Sequence, residues 1–209
     1  ADSADWNFGT GDFTIDCWVR FNSIKSSDFL SQSDTPLDNY WYFLFFGSSL
    51  RFESAGGGVS TSIVRSWIPS INTWYHIAVI RNGTTFKLFV DGTQLGTDVT
   101  DADSLPEIAS VLRIGSLQGG GTAYDVDGYI DEIRISNITR TTAWLNQTYQ
   151  LETNQASYVV AGEEALIAVS DLVYLNSPLN NSLTNNQIVI FNCSVTPLNS
   201  EIVNISLYS

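Results

Sequence analysis

The chain has one histidine, two cysteines and no methionine, so few of its side chains can run a reaction near neutral pH. The histidine, His76, lies in YHIAVIRNGTTFKLFVDG, residues 75–92. This stretch reads as a hairpin turning at Asn82 and Gly83. Trp74 to Arg81 should pair antiparallel with Thr85 to Asp91, and Asp91-Gly92 should make the next turn. His76 then shares a strand face with Ala78 and Ile80. With no second histidine to complete a metal site, it reads as a hydrogen-bonded strand residue and not as a ligand. Cys17 falls in line with Phe13, Ile15, Val19 and Phe21, the pattern of a small core hydrophobe. There is no G-x-S-x-G elbow, and neither cysteine has a positioned histidine.

The carboxylates form two kinds of cluster. In YDVDGYIDE, Asp125 and Asp127 are two residues apart and can share a face. Gly128 should break a strand there, and the neighbours Asp131 and Glu132 should point to opposite faces. The row of carboxylates that converges on a glycosidic bond is therefore not expected. Calcium is the other chemistry of such acids, because hard cations want clustered oxygen ligands from loops. TDVTDADS supplies Asp98, Asp101 and Asp103, and AYDVDG supplies Asp125 and Asp127. A structural Ca2+ at Asp125 and Asp127 is the cofactor expectation, against the plain alternative of turn-forming aspartates.

Aromatic side chains offer a different function, stacking on a pyranose ring while polar neighbours fix hydroxyls. Trp41, Tyr42, Trp67 and Tyr124 are the candidate ligand-binding residues, with Trp6 and Tyr40 also at strand ends or in loops. About half of such aromatics belong to core or rim, by the ordinary burial of these residue types. The glycine-rich loops SAGGGVS and LQGGGTAY either admit a ligand closely or turn corners. Asn-x-Ser/Thr sequons occur at Asn82, Asn137, Asn146, Asn180, Asn192 and Asn204, acceptors that matter only in an exported protein.

The elements that must position these residues are short strands. DFTIDCWVRF alternates, with Phe13, Ile15, Cys17, Val19 and Phe21 on one face and Thr14, Asp16, Trp18 and Arg20 on the other. Similar runs follow at YWYFLFF, SLRFES, STSIVRS, WYHIAVI, FKLFVDG, VLRIGS and GYIDEIRIS, separated by Gly, Asn, Asp and Ser. Such spacing predicts an all-β antiparallel sandwich or jelly roll. One helix is predicted at TTAWLNQTYQ, capped by Thr141 or Thr142, with Ala143, Leu145 and Tyr149 toward the sheet. A chain of 209 residues with 9 basic and 22 acidic side chains and a net charge of -13 lacks the basic stripe that nucleic acid requires. Its longest apolar run, YWYFLFFG, is too short to span a bilayer.

FGTGDFTIDCWVRF, WYHIAVIRNGTTFKLFVDGTQLG, LRIGS and GYIDEIRISNITRTTAWL, in that order, resemble the laminin G-like, concanavalin A-like jelly-roll domains of secreted and surface proteins. The resemblance covers about residues 1–164. Family members begin with one more strand, which implies that the chain starts inside its own domain. Relatives such as the pentraxins bind calcium through an acidic run just after the strand equivalent to LRIGS. Here that run reads LQGGG, with Leu117, Gln118 and Gly119, so the resemblance implies loss of that site. Residues 165–209 resemble the opening of an immunoglobulin-like surface domain. Three strand runs, at about 167–175, 187–195 and 202–208, are too few for a sandwich of about seven strands, and this segment is not expected to fold alone.

The resulting expectation is a non-catalytic extracellular, cell-surface or virion-surface module for adhesion or glycan binding. Its partner would be a glycan or surface protein, and neighbouring subunits of the same assembly are a further partner class. The alternatives are an architectural module of a surface layer, fibre or capsid, and an accessory module of a polysaccharide-degrading enzyme.

Overall fold

The computed structural model describes residues 6–34, 38–117, 122–153, 171–177 and 192–197, the last two ranges as backbone. Contacts divide the chain into two units, Ala1–Tyr158 and Val159–Ser209. Among its described residues the first contains ten strands and a helix in the order β1 (Phe13–Phe21), β2 (Ser27–Ser33), β3 (Tyr40–Phe45), β4 (Ser49–Gly56), β5 (Val59–Ser66), β6 (Trp74–Asn82), β7 (Thr85–Val90), β8 (Thr93–Thr100), β9 (Arg113–Ile114), β10 (Gly128–Ser136) and α1 (Thr142–Thr153). They form two five-stranded sheets, β10-β1-β6-β7-β8 and β5-β4-β3-β2-β9, with every pairing antiparallel. This is the all-β jelly-roll sandwich that the strand spacing predicts.

Strict alternation builds the core. Phe13, Ile15, Cys17, Val19 and Phe21 of β1 face Trp41, Phe43 and Phe45 of β3 and Leu50 and Phe52 of β4 in one buried cluster. Each such side chain contributes about 1.5–3 kcal/mol when removed from water, and phenylalanine rings interlock by edges and tilted faces, as Phe21 does with Phe29 and Trp67. Burial pushes the Cys17 thiol up, as expected for a thiol kept inert by its apolar surroundings.

The hairpin around His76 forms, with a difference of one residue at its tip. Asn82 pairs with Thr85, so Gly83 and Thr84 make the turn, and Gly83 takes the positive φ of 59°. Asp91 and Gly92 both have positive φ, 51° and 69°, and Val90 pairs with Thr93 across them, a two-residue turn of the kind that suits a twisted hairpin. Gly92 has a second role: a Cβ there would lie 2.7 Å from the Asn146 Cα, so only glycine lets α1 sit this close. The helix begins where expected, with the Trp144 N–H donating to Thr141 Oγ1 at 3.1 Å. Leu145 is buried and Tyr149 stacks on Trp18. Ala143, however, is exposed, and Trp144 packs beside Leu145 instead.

Two strands went unread in the sequence. β2, SDFLSQS, is buried at every position, and its polar residues hide a strand that lies between two neighbours. β8, TQLGTDVT, includes Asp98, which is therefore on a strand, paired with Lys87 at 3.4 Å, and not in a cation-binding loop. Asp101 Oδ1 accepts the Asp103 N–H at 2.8 Å, the turn-forming role of aspartate. In the second unit, β11 (Asp171–Ser177) pairs antiparallel with β12 (Asn192–Pro197). The third run expected there, at 202–208, lies outside the described residues, so the immunoglobulin-like reading rests on resemblance alone.

Candidate functional site

Helix α1 covers part of the outer face of the first sheet. Ala78 and Ile80 of β6 and Phe89 of β7 form a second apolar cluster with Leu145 of α1. Beneath the same layer His76 is fully buried, its Nε2 3.1 Å from Asp16 Oδ1. The same oxygen accepts from Arg134 Nε at 2.8 Å. A buried carboxylate shared by two basic side chains is an ordering device and costly to break. His76 is thus a hydrogen-bonded strand residue, as its neighbours in sequence implied.

The outer face of the second sheet differs. Cross-strand partners share a face, and the registers set Ser31, Tyr42, Glu53 and Ser62 in one row and Ser33, Tyr40, Ala55 and Ser60 in the next. Tyr40 and Tyr42 stack with ring centroids 4.3 Å apart and planes 7° from parallel, and both are partly exposed. Arg51 and Glu53 pair at 3.1 Å beside them. Partial burial pushes the Tyr42 phenol up to about 12, so it remains a neutral donor and acceptor. At the β2 end, the Asp28 N–H donates to Tyr124 O at 2.8 Å. There Tyr124 stacks on Phe46 at 6.3 Å, with the Arg51 guanidinium 4.8 Å above the other aromatic partner, Phe46. Asp28 itself is fully buried, and burial pushes its carboxyl up to about 8, with the Ser31 hydroxyl opposing the shift.

Of the four aromatic candidates, Tyr42 and Tyr124 reach this face. Trp41 does not: it is 1% exposed, its Nε1–H donates to Gln32 Oε1 at 3.2 Å, and it belongs to the core. Trp67 is likewise a core residue, set edge-on to Phe45 and Tyr75. Alternation explains the split in YWYFLF: Tyr40 and Tyr42 take the wet side and Trp41, Phe43 and Phe45 the dry one. The run was opaque in sequence because both faces are aromatic. Tyr40 and Phe46 complete the platform, and the tyrosine hydroxyls at every second position were its only sequence signal.

Asp125 and Asp127 sit in the turn before β10. The Asp127 carboxylate accepts from the Ser23 hydroxyl and from Asn22 Nδ2 at 3.4 Å, and these hydrogen bonds hold its pKa below the usual carboxylate value. No group of three metal-ligating acidic, histidine or cysteine side chains occurs among the described residues. Two carboxylates supply only part of the six to eight oxygens that Ca2+ takes, so a Ca2+ at Asp125 and Asp127 would draw its other ligands from backbone carbonyls and water. Gly128 does not break β10 but opens it, because a Cβ there would strike the Arg20 backbone. Nor do Asp131 and Glu132 diverge: Glu132 has φ of 49°, at a register shift opposite Asp16 and Trp18, and this bulge lets both line one cleft with Trp18 and Trp74.

Of the sequons, Asn82, Asn137 and Asn146 are exposed. Asn192 opens β12, and Asn180 and Asn204 lie outside the described residues. No helix is long and apolar enough to cross a membrane among the described residues.

The family model Laminin_G_3, described as the concanavalin A-like lectin/glucanases superfamily, matches residues 1–146. Among solved structures, the fold is shared by domains LG4-5 of the mouse laminin α1 chain, with TM-score 0.52 and 16% identity over 64% of this chain and 38% of that one. It is shared by the botulinum neurotoxin serotype G binding domain, with TM-score 0.55 and 12% identity over 73% and 40%. It is shared too by the CBM40 of the Ruminococcus gnavus IT-sialidase bound to α2,3-sialyllactose, with TM-score 0.55 and 13% identity over 68% and 84%. The chain spans less than half the length of the first two. At these identities the likeness is one of fold. No curated protein matches the chain in sequence at a significant level.

Proposed function

The chain belongs to the concanavalin A-like lectin/glucanases superfamily through residues 1–146, and from that premise we propose that it is a non-catalytic glycan-binding module of a larger extracellular, cell-surface or virion-surface protein. The observation that carries this reading is the Tyr40–Tyr42 stack on the outer face of the second sheet, flanked by Glu53 and Ser62 in register. A flat aromatic surface takes the C–H face of a pyranose, and carboxylate, hydroxyl and guanidinium groups beside it pair with hydroxyls. The fold neighbour bound to sialyllactose supports the same reading by analogy of fold. Calcium at Asp125 and Asp127 is an accessory proposal, to be decided by titration. A glycan array tests the function: binding to at least one glycan class, lost in Tyr42→Ala, supports it. Binding to none, or hydrolysis of the bound glycan, overturns it.

A second reading, an architectural module contacting neighbouring subunits, is favoured by β10. Among the described residues this strand pairs only with β1, and an opening of about 940 Å³ lined in part by Trp6, Phe8, Ile133 and Ile135 runs beside it. Free strand edges are templates for pairing. Assembly into oligomers without glycan binding would select this reading.

A further inference from the structure

We propose that the cleft between Trp18 and Trp74, at the C-terminal end of α1, is a second ligand site and that it takes a protonated amino sugar. The cleft holds about 280 Å³ and is lined by Trp18, Trp74, Asp131, Glu132, Glu152 and Thr153, near the lower end of small-molecule sites. It lies on the first sheet, whereas Tyr40 and Tyr42 lie on the second, so either site can fail without the other.

Four observations specify the ligand. The first is an aromatic wall: Trp74 is 41% exposed and has the exposed Tyr129 ring 6.3 Å away. Exposed indole surface at a cleft mouth takes the C–H face of a sugar ring or a cation. The second is the floor. Trp18 is 6% exposed and held between His76 at 5.4 Å and Tyr149 at 5.8 Å, so a fixed indole lines the cleft. It gives the apolar face of a sugar ring a base that a simple ammonium ion does not use.

The third observation is charge. Asp131, Glu132 and Glu152 place three carboxylates around one small cleft. Among the described residues, Arg134 alone pairs with this set, at 3.3 Å from Glu132, while its other nitrogens hold Asp16. Arg20, between Trp74 and Tyr129 in register, has its guanidinium 5.3 Å from the Tyr129 ring and donates to Asn72 at 2.9 Å. Three acids against these two arginines leave an excess of negative charge that favours an ammonium group over sialic, uronic or sulfated sugars. The fourth is that the cleft is built by a defect in the sheet. The positive φ at Glu132 and the register shift beside Trp18 are the local irregularity that aims two consecutive acids at the same space, a common function of bulges.

Calorimetric titration of the intact chain with a glucosamine trimer, at a pH where its amines are protonated, tests the proposal against the N-acetylated trimer and sialyllactose. The expected result is binding of the glucosamine trimer with the acetylated trimer about tenfold weaker, as loss of the charge pairing requires. Sialyllactose should not compete. Trp74→Ala should weaken binding about fivefold, the scale of one exposed aromatic contact. Glu152→Gln should weaken it similarly, and Tyr42→Ala should leave it unchanged. Equal affinity for both trimers, undiminished binding by the folded Trp74→Phe and Glu152→Gln proteins, or equal competition by spermidine would each overturn it. Failure of this cleft leaves the Tyr42-dependent binding on the array as a separate result.

Discussion

The first sheet carries α1 on its outer face, and the second carries a stack of tyrosines half-open to water. Both faces arise from the same alternation, yet polar residues do different work on them. Under the helix, Asp16 Oδ1 holds both His76 Nε2 and Arg134 Nε and fixes the helix-bearing layer. On the open face, Tyr42, Glu53 and Ser62 lie in a row with capacity left for a ligand. A buried polar network orders a fold, while an exposed one of similar composition can recognise something, and burial decides between them.

Breaking the covered face should give the largest effect. Asp16→Ala leaves His76 and Arg134 without their shared acceptor and should cost about 3–5 kcal/mol in urea unfolding. A cost below about 1 kcal/mol would mean that the cluster is not structural.

The next largest effect should come from Asp28, whose carboxyl is raised from 3.8 to about 8 by burial. The folded state keeps this proton where the unfolded chain has lost it. The associated stability is fully present below pH 3.8 and is lost as pH rises through about 8. Asp28→Asn, a mimic of the protonated acid, should therefore match the parent near pH 4 and exceed it by about 2–5 kcal/mol near pH 9. Parallel stability profiles for the two proteins would contradict the assignment.

His76→Gln keeps a donor toward Asp16 and should cost about 1 kcal/mol, the scale of one buried hydrogen bond. Glycan binding should be unaffected, and its loss in a folded variant would give His76 a role that its burial denies. The smallest effect expected is that of calcium. If Asp125 and Asp127 hold Ca2+, saturating calcium should raise the melting temperature by mass action, modestly because Asp127 is already engaged by Ser23 and Asn22. Coincident melting curves with calcium and with chelator would sink the site.

Strand alternation made β1, β4, β6, β7 and the Thr141 cap legible in sequence, because their inner and outer residues differ in polarity. It failed for β2, where Asp28, Ser31, Gln32 and Ser33 are all buried in a strand with neighbours on both sides. Trp41 and Trp67 were indistinguishable from surface aromatics because residue type does not encode which side of a run is dry. The pairing of Asp131 with Glu132 in one cleft depends on a positive φ at a non-glycine residue, which no local pattern announces.

The central claim is that the Tyr40–Tyr42 face binds glycan. Its most direct test is amide chemical-shift mapping of the intact chain titrated with the best glycan from an array. The account predicts shifts concentrated at Tyr40, Tyr42, Glu53 and Ser62, abolished in Tyr42→Ala. Shifts confined to β10, or none at saturating glycan, would contradict it.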